Sequence, residues 1–229
     1  LNGTYRYEGT NGLGKARTAR WLPTWNVSAA WNMHEEEWMK PLYPTVTHLM
    51  LKGSYSLTGD RPSVSNAEVV IGSTNPWRPF ADDKESALYI DDMANPSLTY
   101  EKKHELNLGL EAGFFDNRVN FAFDWYKRNN FDLIGPVTTV FGTRLGNVAS
   151  MSSDGFEISL TTKNIKAKDF SWTTNFIYSH THNVVTKLES KKRAFDLISG
   201  SGFAFEGYPV RSLFSYQFTG LNEEGQIGR

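Results

Sequence analysis

The stretch that decides the fold is Thr24-Trp25-Asn26-Val27-Ser28-Ala29-Ala30-Trp31-Asn32-Met33. Trp25, Val27, Ala29, Trp31 and Met33 fall on one face of an extended chain, and Thr24, Asn26, Ser28, Ala30 and Asn32 fall on the other. Ten residues of period two exceed an ordinary globular strand and match the length that crosses a bilayer in a tilted barrel. The pattern returns in Val119-Phe121-Phe123-Trp125 against Asn120-Ala122-Asp124-Tyr126, and in Leu106-Leu108-Leu110-Ala112-Phe114 against Glu105-Asn107-Gly109-Glu111-Gly113. In Ser171 to Ser179 the alternation holds except at Ile177.

Composition agrees once the interleaving is considered. Aromatics make up 14% of the chain, yet mean hydropathy is -0.46, because lumen-facing and lipid-facing side chains alternate and average out. No apolar run approaches the length of a membrane-spanning helix. With 24 basic and 25 acidic residues and no basic stripe, a nucleic-acid partner is not expected. The absence of cysteine rules out disulfides and thiolate metal sites.

Strands are expected over roughly 1–8, 23–33, 48–58, 99–114, 118–130, 154–163, 171–181 and 212–220. Comparatively short connections run from His34 to Thr47, with one helical turn at Glu35-Glu36-Glu37-Trp38, across Phe115-Asp116-Asn117, and from Asn164 to Phe170. Longer ones run from Gly9 to Leu22, Gly59 to Leu98, Phe131 to Ser153 and His182 to Arg211. Short turns on one side and long loops on the other are the habit of an outer-membrane barrel. Trp21 and Trp31 share parity ten residues apart, about 25 Å of height in a tilted strand, and so suit opposite membrane interfaces. Pro23 argues against a strand continuing to Trp21.

Motifs with a chemical flavour weigh little. Gly9-Thr10-Asn11-Gly12-Leu13-Gly14-Lys15-Ala16 nearly matches a phosphate loop, but Ala16 replaces the hydroxyl that would hold magnesium and Arg17 to Pro23 is a poor helix start. A flexible hairpin tip is the better reading. His34-Glu35-Glu36-Glu37 lacks a second histidine at helical spacing, His180 and His182 lack a third ligand, and Asp82-Asp83 with Asp91-Asp92 lack a calcium-loop pattern. Glu105 and Glu111, about 20 Å apart along a strand, cannot act on one bond. No hydrolytic triad has a local signature, so neither an enzyme nor a cofactor is expected.

Several dispersed stretches then resemble one family. Asn95-Pro96-Ser97-Leu98-Thr99-Tyr100-Glu101-Lys102, followed by Gly113-Phe114-Phe115-Asp116-Asn117-Arg118, resembles the "NP-L-WEK … GFFNNR" run of SusC/RagA-like TonB-dependent outer-membrane transporters. Asp124-Trp125-Tyr126-Lys127, Gly146-Asn147-Val148-Ala149-Ser150 with Asp154-Gly155-Phe156-Glu157, Ser54-Tyr55-Ser56-Leu57-Thr58-Gly59 and Gly207-Tyr208-Pro209-Val210 are similar to further elements in the same order. Tyr7-Glu8-Gly9-Thr10 and Asp154 depart from the pattern.

The resemblance implies an all-β fold: an antiparallel transmembrane β-barrel segment, about eight strands of a larger barrel of roughly 22 with long outer loops. It also implies a plug, a SusD-like surface lipoprotein as lid, energy from TonB through the plug region, and import of an oligosaccharide or peptide substrate across the bacterial outer membrane. Residues 1–229 are then read as part of a single barrel domain lacking the plug and the C-terminal strands, with both ends as cuts. Outer-membrane lipids are the partner of its apolar face. Trp77, Phe80, Tyr89, Phe141, Phe203 and Phe205, all in long loops, are candidates to stack on sugar rings or touch the lid. The alternative is a soluble extracellular β-sandwich carbohydrate-binding module.

Overall fold

The structure is a computed structural model that describes residues 1–61, 68–75, 86–139, 142–189, 204–215, 217–218 and 220. Its strands are β1 (Asn2–Gly9), β2 (Trp21–Asn32), β3 (Val46–Asp60), β4 (Val70–Thr74), β5 (Ala87–Asp92), β6 (Glu101–Phe114), β7 (Val119–Thr139), β8 (Gly142–Lys166) and β9 (Ser171–Leu188). Seven of them form one antiparallel sheet in the order β1-β2-β3-β6-β7-β8-β9, and β4 pairs only with β5. Among the described residues, β1 and β9 are the edge strands, with no further strand paired to either.

Register across the sheet sorts the side chains. The row Ala29, Gly53, Leu108, Trp125, Phe156, His180 lies on one face, and the next row, Ala30, Lys52, Gly109, Asp124, Glu157, Ser179, lies on the other. Because each strand keeps its alternation, Val27, Leu51, Leu110, Phe123, Ile158 and Phe176 join the first face, while Ser28, Ser54, Asn107, Glu105 and Ser153 join the second. Ile177 sits on the polar face as the expected exception. Trp31, Leu108 and Phe176 remain 49%, 48% and 54% exposed, so among the described residues no second sheet covers the apolar face as a sandwich would require.

At one end the connections are tight. Phe115, Asp116 and Asn117 turn β6 into β7 with φ of 54°, 55° and 58°. This left-handed run is held by Asp116 N donating to Thr47 Oγ1 at 2.9 Å and Phe115 N donating to Thr45 O at 3.1 Å. In the β2–β3 connection, 3₁₀ turns form at Met33–Glu35 and Lys40–Leu42, not one turn at 35–38. The Trp31 indole N–H donates to Glu36 Oε1 at 2.9 Å, which leaves its apolar body facing outward.

Four expectations are corrected at the other end. β7 and β8 do not give way to a long loop over 131–153; they continue as a ribbon to Thr139 and from Gly142. Register shifts around Leu133 and a φ of 58° at Asp132 absorb the residues that break the alternation. β2 does reach Trp21, because Pro23 faces only Tyr7 of β1 and lies beyond the β3 ladder. Residues 10–20 are not a loose tip but a packed loop with a one-turn helix at Arg17–Arg20. The described residues of 212–220 form no strand, only a bridge at Ser212, so among the described residues the wall has seven strands. Instead the chain turns at Pro209, and Val185 of β9 donates to Tyr208 O at 2.9 Å.

Candidate functional site

The polar face is a lattice of charge built on glycine. Lys52 Nζ lies 2.8 Å from Glu111 Oε1 and 3.1 Å from Asp124 Oδ1, reaching across Gly109, where a Cβ would come within 2.2 Å of Lys52 Cε. One row outward, Glu105 takes Lys103 at 2.8 Å, and Arg128 Nε at 3.2 Å as an ion pair without hydrogen-bond alignment. The Arg128 guanidinium lies 4.1 Å above the Tyr126 ring, whose hydroxyl meets Thr181 Oγ1 at 2.6 Å over Gly155. These pairs are partly exposed, their side chains open by 17–40%, and contribute little to stability; their effect is a wet, flat wall. A recess of about 460 Å³ opens there between Asn2, Ser28, Ser54, Lys52, Asp124 and Asn107, whose Oδ1 is buried without a hydrogen-bond partner among the described residues.

Above the wall, three segments far apart in sequence close on one another. Leu13 and Leu98, 1% and 0% exposed, form a core with Leu22 and Tyr100, and Ile134 and Leu145 pack against it. Gly14 N donates to Leu98 O and Lys15 N to Pro96 O, both at 2.9 Å, an approach only glycine permits because a Cβ on Gly14 would stand 2.1 Å from Pro96 O. Asn147 is the knot. Its Oδ1 accepts from Thr99 N at 2.9 Å, and its Nδ2 donates to Thr99 O at 2.9 Å and Asp132 O at 2.6 Å. Asn95 Nδ2 donates to Leu145 O at 2.7 Å, and Lys102 Nζ lies 2.7 Å from Asp132 Oδ2. Burial pushes the Tyr100 phenol up from its ordinary pKa. Asn147→Ala in the full-length protein strands these backbone groups at about 1–3 kcal/mol each, so amide exchange at Thr99 should quicken by at least about tenfold. Unchanged exchange would deny Asn147 this role.

Of the six loop aromatics expected to make contacts, two lie among the described residues. Tyr89 is 48% exposed on β5, its ring lying over Gly72 of β4. Phe205 packs with Tyr208 and Phe214, with ring centroids 5.5 and 5.8 Å away. Trp77, Phe80, Phe141 and Phe203 lie outside the described residues, as do Asp82 and Asp83. The wall places His180 and His182 on its apolar side, against Phe156 and 3.8 Å from Asp154 respectively. Glu105 and Glu111 share the polar face in separate ion pairs. The sequence does not announce the Leu13–Leu98–Asn147 knot; its traces are the glycine-rich run around Leu13 and the motifs at Asn95-Pro96 and Gly146-Asn147, none of which implies the contact.

Relatives share this architecture. The chain is 28% identical over 98% of its length to TonB-dependent receptor P3 of Formosa agariphila, covering 23% of that protein. It is 27% identical over 93% of its length to TonB-dependent receptor SusC of Bacteroides thetaiotaomicron, again 23% of that protein. Among solved structures it superposes on the RagAB peptide importer in its 'closed-closed' state with a TM-score of 0.79 at 22% identity, covering 99% of this chain and 26% of that one. A second, the RagAB peptide transporter, gives 0.75 at 24% identity, covering 91% and 23%. The chain thus spans about a quarter of the length of these relatives. The TonB dependent receptor-like β-barrel family matches residues 1–222, and with its two-faced wall the chain belongs to that family, as part of a SusC/RagA-like receptor of the outer membrane.

Proposed function

We propose that this chain is wall and outer vestibule of a TonB-dependent outer-membrane importer of glycans or peptides. The observation that carries the reading is the pairing of two chemistries on the same seven strands: an uncovered apolar face and a polar face with a fixed charge lattice. Such a sheet suits hydrocarbon on one side and an aqueous passage on the other. In this reading residues 1–229 form one part of a single barrel domain, and the rest of the protein supplies the remaining strands and the plug through which TonB acts. A SusD-like lipoprotein closes the mouth. Substrate or lid meets the loop aromatics, of which Tyr89 is the exposed one described and Phe205, Trp77, Phe80, Phe141 and Phe203 are the others.

The test is uptake. Deleting the full-length gene in its own bacterium should abolish uptake of either a fluorescent oligosaccharide set or a fluorescent oligopeptide set, and an uncoupler should reproduce the loss. Uptake of both sets at wild-type rate would overturn the proposal.

A further inference from the structure

At the outer rim, the lipid-side face of β1 and β2 ends in an open recess of about 420 Å³ lined by Gly9, Thr10, Asn11, Arg20, Trp21 and Arg61. Its floor is aromatic. Trp21 lies flat across Gly9, where a Cβ would come within 2.7 Å of the indole, and stacks on Tyr7 with ring centroids 5.1 Å apart and planes 17° from parallel.

Arg20 and Arg61 also line it. Arg20 is held in place: its Nε donates to Gly14 O at 2.7 Å, and its carbonyl accepts from Thr10 N at 3.0 Å and the Tyr100 hydroxyl at 3.4 Å. Both terminal nitrogens of Arg20, and the whole head of Arg61, have no hydrogen-bond or ion-pair partner among the described residues. Nearby carboxylates are engaged or face away. Glu8 pairs with Arg6 at 2.7 Å, Asp60 falls on the polar face, and Glu68 lies 3.9 Å from Lys15. Two arginines lining one recess, with these donors unpaired among the described residues, fit an oxyanion, and phosphate above carboxylate, because its oxygens can be shared between two planar forks.

Height decides where that phosphate comes from. Trp21 has the parity of Trp31 and stands ten residues before it in β2, about 25 Å away in a tilted strand, which is where hydrocarbon gives way to headgroups. Amphipathic rings collect at that level, and cations above it attract anionic headgroups. We propose that Arg20 and Arg61 clamp the phosphate of an outer-leaflet lipid headgroup, with the Trp21–Tyr7 stack beneath it against the start of the acyl chains. This rests on the apolar face being the lipid-facing one.

The experiment uses the full-length receptor in nanodiscs of phosphatidylcholine doped with a phosphorylated lipid A or with its dephosphorylated form, and native mass spectrometry of the lipid retained after delipidation. Wild type should retain the phosphorylated form, and Arg20→Gln with Arg61→Gln should retain about tenfold less, as loss of two charged hydrogen-bonding heads implies. Lys168→Gln, at the opposite rim, should match wild type. Arg61→Gln alone covers the case in which Arg20→Gln disturbs folding, since Arg61 bonds to nothing in the described chain. Equal retention of both lipids, or retention unaffected by Arg61→Gln, overturns the inference; so does displacement by equimolar inorganic phosphate, which would mark a site for free anion. Heat-modifiable gel mobility, run in parallel, reports on the barrel itself, so a lost barrel and a lost lipid site are told apart.

Discussion

Leu108→Arg in the full-length receptor is expected to destabilise the inserted barrel by about 2–4 kcal/mol, the cost of a cation near the bilayer midplane on the lipid face. Leu108 is the residue for this test because it sits in the middle of the apolar face, between Gly53 of β3 and Trp125 of β7, where it is half exposed with no protein cover. An arginine there cannot reach the headgroups without bending along several residues of wall. Ser179→Arg supplies the contrast. Ser179 lies on the polar face, in register with Glu157 and one strand further from Asp124, so a cation there meets water and carboxylates. Its expected cost is under about 1 kcal/mol. The measurement is the unfolding midpoint of each variant in lipid vesicles, together with the amount reaching the outer membrane. Equal costs for the two arginines would contradict the assignment of the faces.

Leu98→Ala is the second large effect. Leu98 is fully buried where three outer segments meet, so truncation removes its burial and leaves a void, together worth about 2–5 kcal/mol. The loss should appear as local opening, because the core of Leu13, Leu22, Leu98 and Tyr100 lies at the rim and the strand ladders below do not depend on it. A cost of 2 kcal/mol corresponds to about a 30-fold rise in exchange. That rise is expected at the amides of Gly14 and Lys15, which donate to Leu98 O and Pro96 O, and not at amides in the middle of β6. Opening that spread into β6, or no change at Gly14, would mean that the three segments do not hold one another.

What could be read in advance followed from where alternation is enforced. In β2, β6 and β7 one face meets an apolar medium and the other a polar one, so every second residue is constrained and a single sequence shows it. Beyond the apolar band that constraint ends. Phe131-Asp132-Leu133-Ile134-Gly135-Pro136 has no period, although it continues β7 against β8, because Ile134 packs there on the core of Leu13, Leu22, Leu98 and Tyr100 and the ribbon no longer separates two opposed solvents. The knot at Asn147 was invisible for a different reason. Leu13 and Leu98 are distant in the chain, and neither the glycine-rich run around Leu13 nor the motif around Leu98 says that the two meet, so only the fold brings them together. The charge lattice was half legible: Glu105 and Glu111 were placed on one face, but Lys52 enters from another strand and crosses it only because position 109 is glycine. The expected strand over 212–220 failed where Pro209 and the Phe205–Tyr208–Phe214 cluster turn the chain back on β9.

The most direct test of the two-faced wall is a cysteine scan along β7, run in a full-length background whose cysteines outside residues 1–229, a stretch with none, are replaced by serine. Single cysteines at Val119 through Tyr126 of the full-length receptor in its membrane would carry a spin label, read by its collisions with oxygen, which dissolves in lipid, and with a water-soluble nickel chelate. Labels at Val119, Phe121, Phe123 and Trp125 should collide with oxygen and those at Asn120, Ala122, Asp124 and Tyr126 with nickel, a clean period of two. Labels at Val119, Phe121, Phe123 and Trp125 shielded from both would mean that protein, not hydrocarbon, covers that face.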